Sequence, residues 1–174
     1  MPRIFKTSVL FLFFGTVVFY SCGFPSKKIR EHKSIDREGF SVNYPSDWSV
    51  DTVEQGYDAD TSFMIVNKES TSYVSFFVYN KKIDENKALD NELEARVKPL
   101  IPGGKTREFY EWGQYKGKGA RVKGKILELF PGNISVFVHA GEKRSFVAIW
   151  QMYTDEMFEV GSSLKFIEDS FQLK

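Results

Sequence analysis

The feature that most constrains the fold is the segment over residues 72–80, whose sequence is SYVSFFVYN. Successive side chains of an extended strand point to opposite faces of a sheet. One face of this segment would carry Val74, Phe76 and Val78, and the other would carry Tyr73, Phe77 and Tyr79. A strand that is apolar on both faces is covered on both, so the sequence predicts a sheet with layers above and below it.

Period-two alternation predicts further strands, and helical spacing predicts two helices. The predicted strands begin at Phe40, Trp48 and Ser62 and cover residues 107–114, 118–129, 134–140 and 145–153. Gly117 and the sequence Pro-Gly-Asn at residues 131–133 predict turns between them. The predicted helices cover residues 84–98, with Asp84 as the cap, and residues 155–171. This order predicts an α+β fold with a central, mostly antiparallel sheet.

Charge and cysteine content exclude several classes of function. The 174 residues include 24 basic and 23 acidic side chains, a net charge of +1, which gives no overall bias toward nucleic acid. The only cysteine, Cys22, excludes an internal disulfide bond and any zinc site built from several cysteines.

Two short motifs carry a resemblance to a known family. The sequence FSVNYPSDW starts at Phe40, and FIEDSF ends at Phe171. With a helix and four strands between them, these motifs resemble the PsbP-like family, over residues 40–173. The resemblance implies a three-layer α/β/α sandwich, which we place over residues 39–174. It also implies a binding or assembly protein, because the family shares no catalytic motif.

The N-terminal segment predicts export and a lipid anchor. Arg3 and Lys6 precede the apolar run VLFLFFGTVVFY, which is too short for a membrane span and fits a signal peptide over residues 1–21. Cys22 after the small residue Ser21 resembles the lipobox of bacterial lipoproteins, whose cysteine receives a diacylglycerol. An uncleaved anchor helix and ordinary cleavage are the alternatives. Residues 22–38 are predicted to form a polar, basic tether, and the location is predicted to be the bacterial cell envelope.

None of the candidate motifs for catalysis or cofactor binding contains all the residues that its chemistry requires. The segment from Gly119 to Lys125 resembles a phosphate loop, but Ile126 replaces the Ser/Thr that would hold the metal. Asp58 and Asp60 have calcium-loop spacing, but Phe63 replaces the glycine that the turn requires. We therefore expect no metal, no cofactor and no enzymatic activity.

Two groups of residues are candidates for binding. Arg121, Lys123 and Lys125 would share one strand face and could contact lipid headgroups or an acidic partner, although a merely solvated strand face is an alternative. Trp112 and Tyr115 lie near Gly113, where we expect a partly exposed aromatic patch. Trp48, Trp150 and Phe171 are predicted to be core residues.

The predicted function is that of an envelope-anchored lipoprotein whose domain is a non-enzymatic protein-binding or assembly module. Its expected partners are the membrane, through the lipid on Cys22, and a protein of the envelope, with no nucleic acid. The alternative is a carrier of small molecules or lipids with an aromatic-lined pocket. A wide internal cavity would favour the carrier, and a filled core with an exposed aromatic patch would favour the binding module.

Overall fold

The computed structural model describes residues 31–51 and 61–174. The strands are β1 (His32–Asp36), β2 (Phe40–Pro45), β3 (Trp48–Asp51), β4 (Ser62–Asn67), β5 (Tyr73–Tyr79), β6 (Lys105–Trp112), β7 (Tyr115–Ile126), β8 (Phe130–Ala140), β9 (Ser145–Tyr153) and β10 (Gln172–Leu173). The helices are α1 (Glu85–Glu92), which continues into a π-helical turn (Leu93–Val97), and α2 (Met157–Ser170). The predicted signal peptide and Cys22 lie outside the described residues.

The strands form two antiparallel sheets. The larger has seven strands in the order β3-β4-β5-β9-β8-β7-β6, and the smaller has three in the order β1-β2-β10. Every strand pair in both sheets is antiparallel. The predicted α+β class with a mostly antiparallel sheet is confirmed.

Both faces of the seven-stranded sheet are covered, as the sequence of β5 predicts. Phe76 belongs to an apolar cluster that also contains Phe40 of β2 and Ile167 of α2. Phe77, the next residue of β5, belongs to a second cluster with Val97 of the π-helical turn. One face therefore packs against α2 and the smaller sheet, and the other packs against α1 and the π-helical turn.

The predicted tether overlaps a strand. Residues 32–36 form β1, which pairs antiparallel with β2, and Ile35 packs against the first apolar cluster. The prediction of a tether up to residue 38 is therefore wrong for its last part. A single apolar residue in a polar segment is too weak a signal to predict an edge strand, because most of the side chains of such a strand face solvent.

Two predicted turns are also wrong. Residues 131–133 lie inside β8, and the turn before this strand is formed by residues 127–129. Gly117 lies inside β7. A residue with a side chain would not fit there, because its Cβ atom would come within 2.1 Å of the carbonyl oxygen of Val138. This glycine allows two backbones to approach closely, while Gly113, with φ +56°, makes the turn between β6 and β7.

The helix signals are confirmed at their starts. The Asp84 carboxylate accepts a hydrogen bond from the Lys87 backbone N–H at 3.1 Å, which caps α1. At the other end, the Lys98 N–H donates to the Leu93 carbonyl at 2.9 Å, the longer spacing of a π-helical turn. Across residues 31–51 and 61–174, no helix is long and apolar enough to cross a membrane.

Candidate interaction surface

A patch of five exposed basic side chains lies on one face of β6 and β7. Arg121, Lys123 and Lys125 share this face of β7, as the sequence predicts. The antiparallel register places Arg107 opposite Arg121 and Lys105 opposite Lys123. We call this set the basic face, and it consists of Lys105, Arg107, Arg121, Lys123 and Lys125.

The basic face contains two like-charge pairs in direct opposition. Residues directly opposite on neighbouring strands have Cβ atoms about 4.5–5.5 Å apart, so like charges there repel each other. None of the five side chains takes part in an ion pair with the described residues. Arg121 is held in place by a hydrogen bond from its Nε to Ser135 Oγ at 3.1 Å, and its guanidinium lies 6.0 Å from the centre of the Phe109 ring. The arrangement is suited to an anionic partner, which would relieve the repulsion.

Glu108, one of the two acidic residues of β6, lies on the opposite face of the strand. Glu108 alternates with Arg107, and its carboxylate accepts a hydrogen bond from the Tyr110 hydroxyl at 2.7 Å. This contact raises the pKa of Tyr110 above its usual value. Since successive side chains of a strand alternate between faces, Glu108 does not neutralise the basic face.

The hairpin between β7 and β8 has an apolar end, which we call the hairpin tip (residues 127–130). Leu127, Leu129 and Phe130 are 57%, 68% and 54% exposed. Leu127 and Glu128 have φ values of +52° and +62°, in the left-handed region. For residues with a side chain this conformation costs about 1–2 kcal/mol each, and glycine or asparagine would usually stand there. The hairpin tip therefore combines backbone strain with exposed apolar surface.

An open groove adjoins the hairpin tip on its α2 side. It has a volume of about 620 Å³ and is lined by Thr71, Phe130, Pro131, Tyr153, Thr154, Asp155 and Glu156. The Phe130 ring meets the Tyr153 ring edge-on, with 5.9 Å between centres. The Glu156 carboxylate accepts a hydrogen bond from Ser72 at 2.6 Å. The two carboxylates make this side of the hairpin tip acidic, and the β7 side is basic.

Trp112 does not form an exposed patch. It is 4% exposed, and its ring meets those of Phe76 and Phe171 edge-on at 5.8 and 5.6 Å. The expectation of partial exposure is wrong because the pairing of β6 with β7 shifts register between Phe109 and Glu111. That irregularity turns the Trp112 side chain toward the core, next to the glycine turn. Simple alternation along the strand does not predict this burial.

Tyr115 holds the C-terminal strand. Its hydroxyl accepts a hydrogen bond from the Leu173 backbone N–H at 2.7 Å, and its half-buried ring packs edge-on against Phe146 at 5.0 Å. These contacts are internal to the domain. The structure brings Arg121, Lys123 and Lys125 together and separates them from Trp112 and Tyr115.

Local sequence patterns do not reveal the roles of Lys105, Arg107 and the hairpin tip. A Lys-x-Arg pattern at residues 105–107 signals two basic residues on one strand face, but only the register shows that they oppose Arg121 and Lys123. Leu127, Leu129 and Phe130 were counted as part of a strand and a turn. Among the residues that the structure describes, no group of three or more His, Cys, Asp and Glu could hold a metal ion.

Trp48 and Trp150 are core residues, as predicted, with 0% and 7% exposure. The aromatic interior is filled by stacked rings. Phe76 lies 4.8 Å from Phe171 and 5.0 Å from Phe63, measured between ring centres. The core is therefore filled within this cluster, but the exposed aromatic patch also expected of a binding module is not found at Trp112.

Comparison with known proteins identifies the fold. No family model matches the chain, and no curated protein matches it by sequence. Cyanobacterial PsbP (CyanoP) from Synechocystis sp. PCC 6803 superposes with a TM-score of 0.52 at 13% identity, covering 90% of this chain and 99% of that one. LpqN, involved in cell envelope biogenesis of Mycobacterium tuberculosis, superposes with a TM-score of 0.50 at 13% identity, covering 83% and 91%.

A third structure, from Bacteroides thetaiotaomicron VPI-5482, has a TM-score of 0.53 at 14% identity. The match covers 82% of this chain but 48% of that protein, so this chain spans about half of its length. Together these structures define the class of the domain, a mixed α+β fold. The fold is PsbP-like, and the resemblance that the two sequence motifs indicate is confirmed at the level of the fold.

Proposed function

We propose that this protein is an envelope-anchored, non-enzymatic binding or assembly module whose basic face docks an acidic surface of a partner protein. The observation that carries the proposal is the direct opposition of Arg107 with Arg121 and of Lys105 with Lys123. Such pairs weaken the sheet locally, and none of them is compensated by an ion pair within the described residues. An acidic partner would compensate them.

The filled aromatic core favours a binding module over a carrier. A carrier would need an enclosed apolar space, whereas the rings of Phe63, Phe76 and Phe171 are in direct contact. The groove beside Phe130 is open to solvent and bordered by two carboxylates. A surface that binds by charge and shape fits these features better than an interior site.

The three-layer α/β/α description of the domain is part of this proposal. It is supported by the two apolar clusters on opposite faces of the seven-stranded sheet, one beside α1 and the other beside α2. The layer that contains α2 also contains the smaller sheet, so this layer is mixed.

Reversing three charges of the basic face tests the proposal. Arg121→Glu, Lys123→Glu and Lys125→Glu together change the face by six charge units, and capture of the partner by crosslinking in intact cells should fall steeply. The melting temperature should hold or rise slightly, because two repulsive cross-strand pairs become attractive, at roughly 0.2–1 kcal/mol each. Binding of the unmodified protein should weaken with added salt, since exposed charges are screened beyond about 8–10 Å.

The matched control reverses three exposed lysines elsewhere, Lys81→Glu, Lys82→Glu and Lys87→Glu, for the same change in net charge. This control should retain capture. Equal capture by a folded basic-face variant and by the control would show that the basic face serves only to keep the strands soluble.

The membrane anchor is a separate element of the proposal. Cys22→Ala should remove the site for the diacylglycerol, so the protein should leave the membrane fraction or accumulate as an unprocessed precursor. Ser21→Ala, which keeps a small residue before the cysteine, is the matched control and should still be processed. Mass spectrometry of the mature protein reads the outcome directly, and an unmodified Cys22 thiol there would contradict the anchor.

A further inference from the structure

The hairpin tip lies at the end of the seven-stranded sheet where the described chain begins. The Ser46 N–H donates to the carbonyl of Glu31 at 3.3 Å, directly before β3 starts at Trp48. At this end of the sheet, the start of β3 (Trp48) lies opposite the end of β4 (Asn67). Followed strand by strand, the pairing leads to the start of β8 (Phe130) and the end of β7 (Ile126) at the same end of the sheet. The chain that leads back to Cys22 therefore leaves from the same end of the sheet that bears the hairpin tip.

The distances allow Cys22 and the hairpin tip to reach the same membrane surface. Strands β3 and β7 are separated by five strand spacings, which is about 24 Å. Eight residues lie between Cys22 and Glu31 in the sequence, and the nine steps from one to the other span at most about 30 Å. An anchor at Cys22 would thus allow this end of the domain to reach the lipid surface.

Lysines beside the hairpin tip offset its one carboxylate, that of Glu128, at an anionic surface. Lys125 and Lys123 precede Leu127 by two and four residues, which is about 7 and 13 Å along the strand. Lys105 stands opposite Lys123. Each lysine close to an anionic leaflet contributes about fivefold to binding. The carboxylates of Asp155 and Glu156 line the opposite side of Phe130, which orients the β7 side toward the membrane.

The backbone of the hairpin tip retains strain that a different sequence would relieve. Leu127 and Glu128 occupy left-handed positions that Asn-Gly would fill at lower cost. Strain of this kind persists where it serves a function. The Leu127 side chain is more than half exposed. Its burial in lipid would offset the backbone strain at this position.

We propose that the hairpin tip inserts into the interfacial region of an anionic bilayer. Leu127, Leu129 and Phe130 would enter the boundary between headgroups and acyl chains, and Lys123 and Lys125 would contact the lipid phosphates. This inference rests on the proposed membrane anchor. It goes further by dividing the basic face between two partners: Lys105, Lys123 and Lys125 would lie at the lipid surface, and the Arg107–Arg121 pair would stay open to the protein partner.

The test places a fluorescent reporter at the hairpin tip. The full chain carrying Leu129→Trp is purified from membranes and reconstituted into vesicles of phosphatidylglycerol and phosphatidylethanolamine, some of which contain brominated acyl chains. The native tryptophans are buried in the core, so the unmodified chain supplies the background. The added tryptophan should shift its emission to shorter wavelength and lose much of it in brominated vesicles.

Tyr110→Trp is the matched control, since Tyr110 is 58% exposed near the other end of β6. Its emission should be the same in brominated and ordinary vesicles. Equal, weak quenching of both reporters would overturn the inference. Quenching that persists in vesicles of phosphatidylcholine alone would overturn the role assigned to the lysines.

A second pair of substitutions separates stability from membrane contact. Leu127→Asn with Glu128→Gly should raise the melting temperature by a few degrees, because both residues accept the left-handed conformation. The same variant, combined with Leu129→Trp, should show a smaller emission shift and less quenching than Glu128→Gly with Leu129→Trp, because both lack the Glu128 carboxylate and only the first lacks the Leu127 side chain. Unchanged quenching in this more stable variant would contradict insertion of the hairpin tip.

The outcomes also separate this inference from the proposed anchor. Quenching of the added tryptophan together with an unmodified Cys22 would sustain the hairpin contact and contradict the anchor. A lipidated Cys22 without quenching would sustain the anchor and contradict the hairpin contact. If the Asn-Gly variant abolishes partner capture while the reporter stays unquenched, the hairpin tip is a protein contact and the membrane inference is wrong.

Discussion

Phe171→Ala is expected to lower the free energy of unfolding by about 3–5 kcal/mol. The Phe171 ring is fully buried and stacks on Phe76 at 4.8 Å with 4° between the ring planes. It also lies 4.7 Å from Phe146, again between ring centres. Removing the ring leaves a cavity between three elements, since β2, β5 and β9 all lose a ring contact. Urea denaturation of the folded domain measures the change.

Leu129→Ala is the matched control for this experiment. It also removes a large apolar side chain, but that side chain is 68% exposed, so the expected change is within about 0.5 kcal/mol. Similar losses for the two variants would show that the aromatic stack around Phe171 contributes little beyond ordinary surface packing.

Gly117→Ala should destabilise the domain by about 1–3 kcal/mol or more, because the added methyl group meets backbone. Its Cβ would lie 2.1 Å from the Val138 carbonyl oxygen and 2.9 Å from the Phe137 ring. A carbonyl in a central strand cannot rotate away as a flexible side chain can, so β7 and β8 would have to separate locally. The melting temperature of the variant measures the effect.

Gly161→Ala gives the opposite expectation for the same chemical change. Gly161 lies within α2, and a Cβ atom there would meet nothing within 4 Å. Alanine should stabilise the helix by about 0.5–1 kcal/mol, because glycine loses more conformational freedom on folding. A more stable Gly117→Ala variant, or a less stable Gly161→Ala variant, would contradict the packing described for these two positions.

The parts of the fold that depend on local pattern are predictable from the sequence. The two apolar faces of β5 correctly predict cover on both sides of the sheet, because alternation is a property of the strand itself. The Asp84 cap and the burial of Trp48 and Trp150 follow from similarly local signals.

Features that depend on pairing are not predictable in this way. The register shift after Phe109 buries Trp112, and the opposition of Arg107 with Arg121 requires two strands to align. The turn at residues 127–129 has neither glycine nor proline, so its sequence resembles a continuing strand. In each of these cases tertiary contacts override the local preference, and the candidate surface consists largely of such cases.

The smaller sheet has a consequence for the order in which the chain can fold. Strand β10 pairs with β2, and the Ser170 hydroxyl accepts a hydrogen bond from the Asn43 N–H across 127 residues of sequence. The edge of β2 that β10 covers thus stays open until Leu173 has been synthesised. Contacts between such distant segments slow folding, because a long loop must close before they form. A nascent chain would therefore remain without this strand pairing until residue 173 has been synthesised, which prolongs its availability to chaperones.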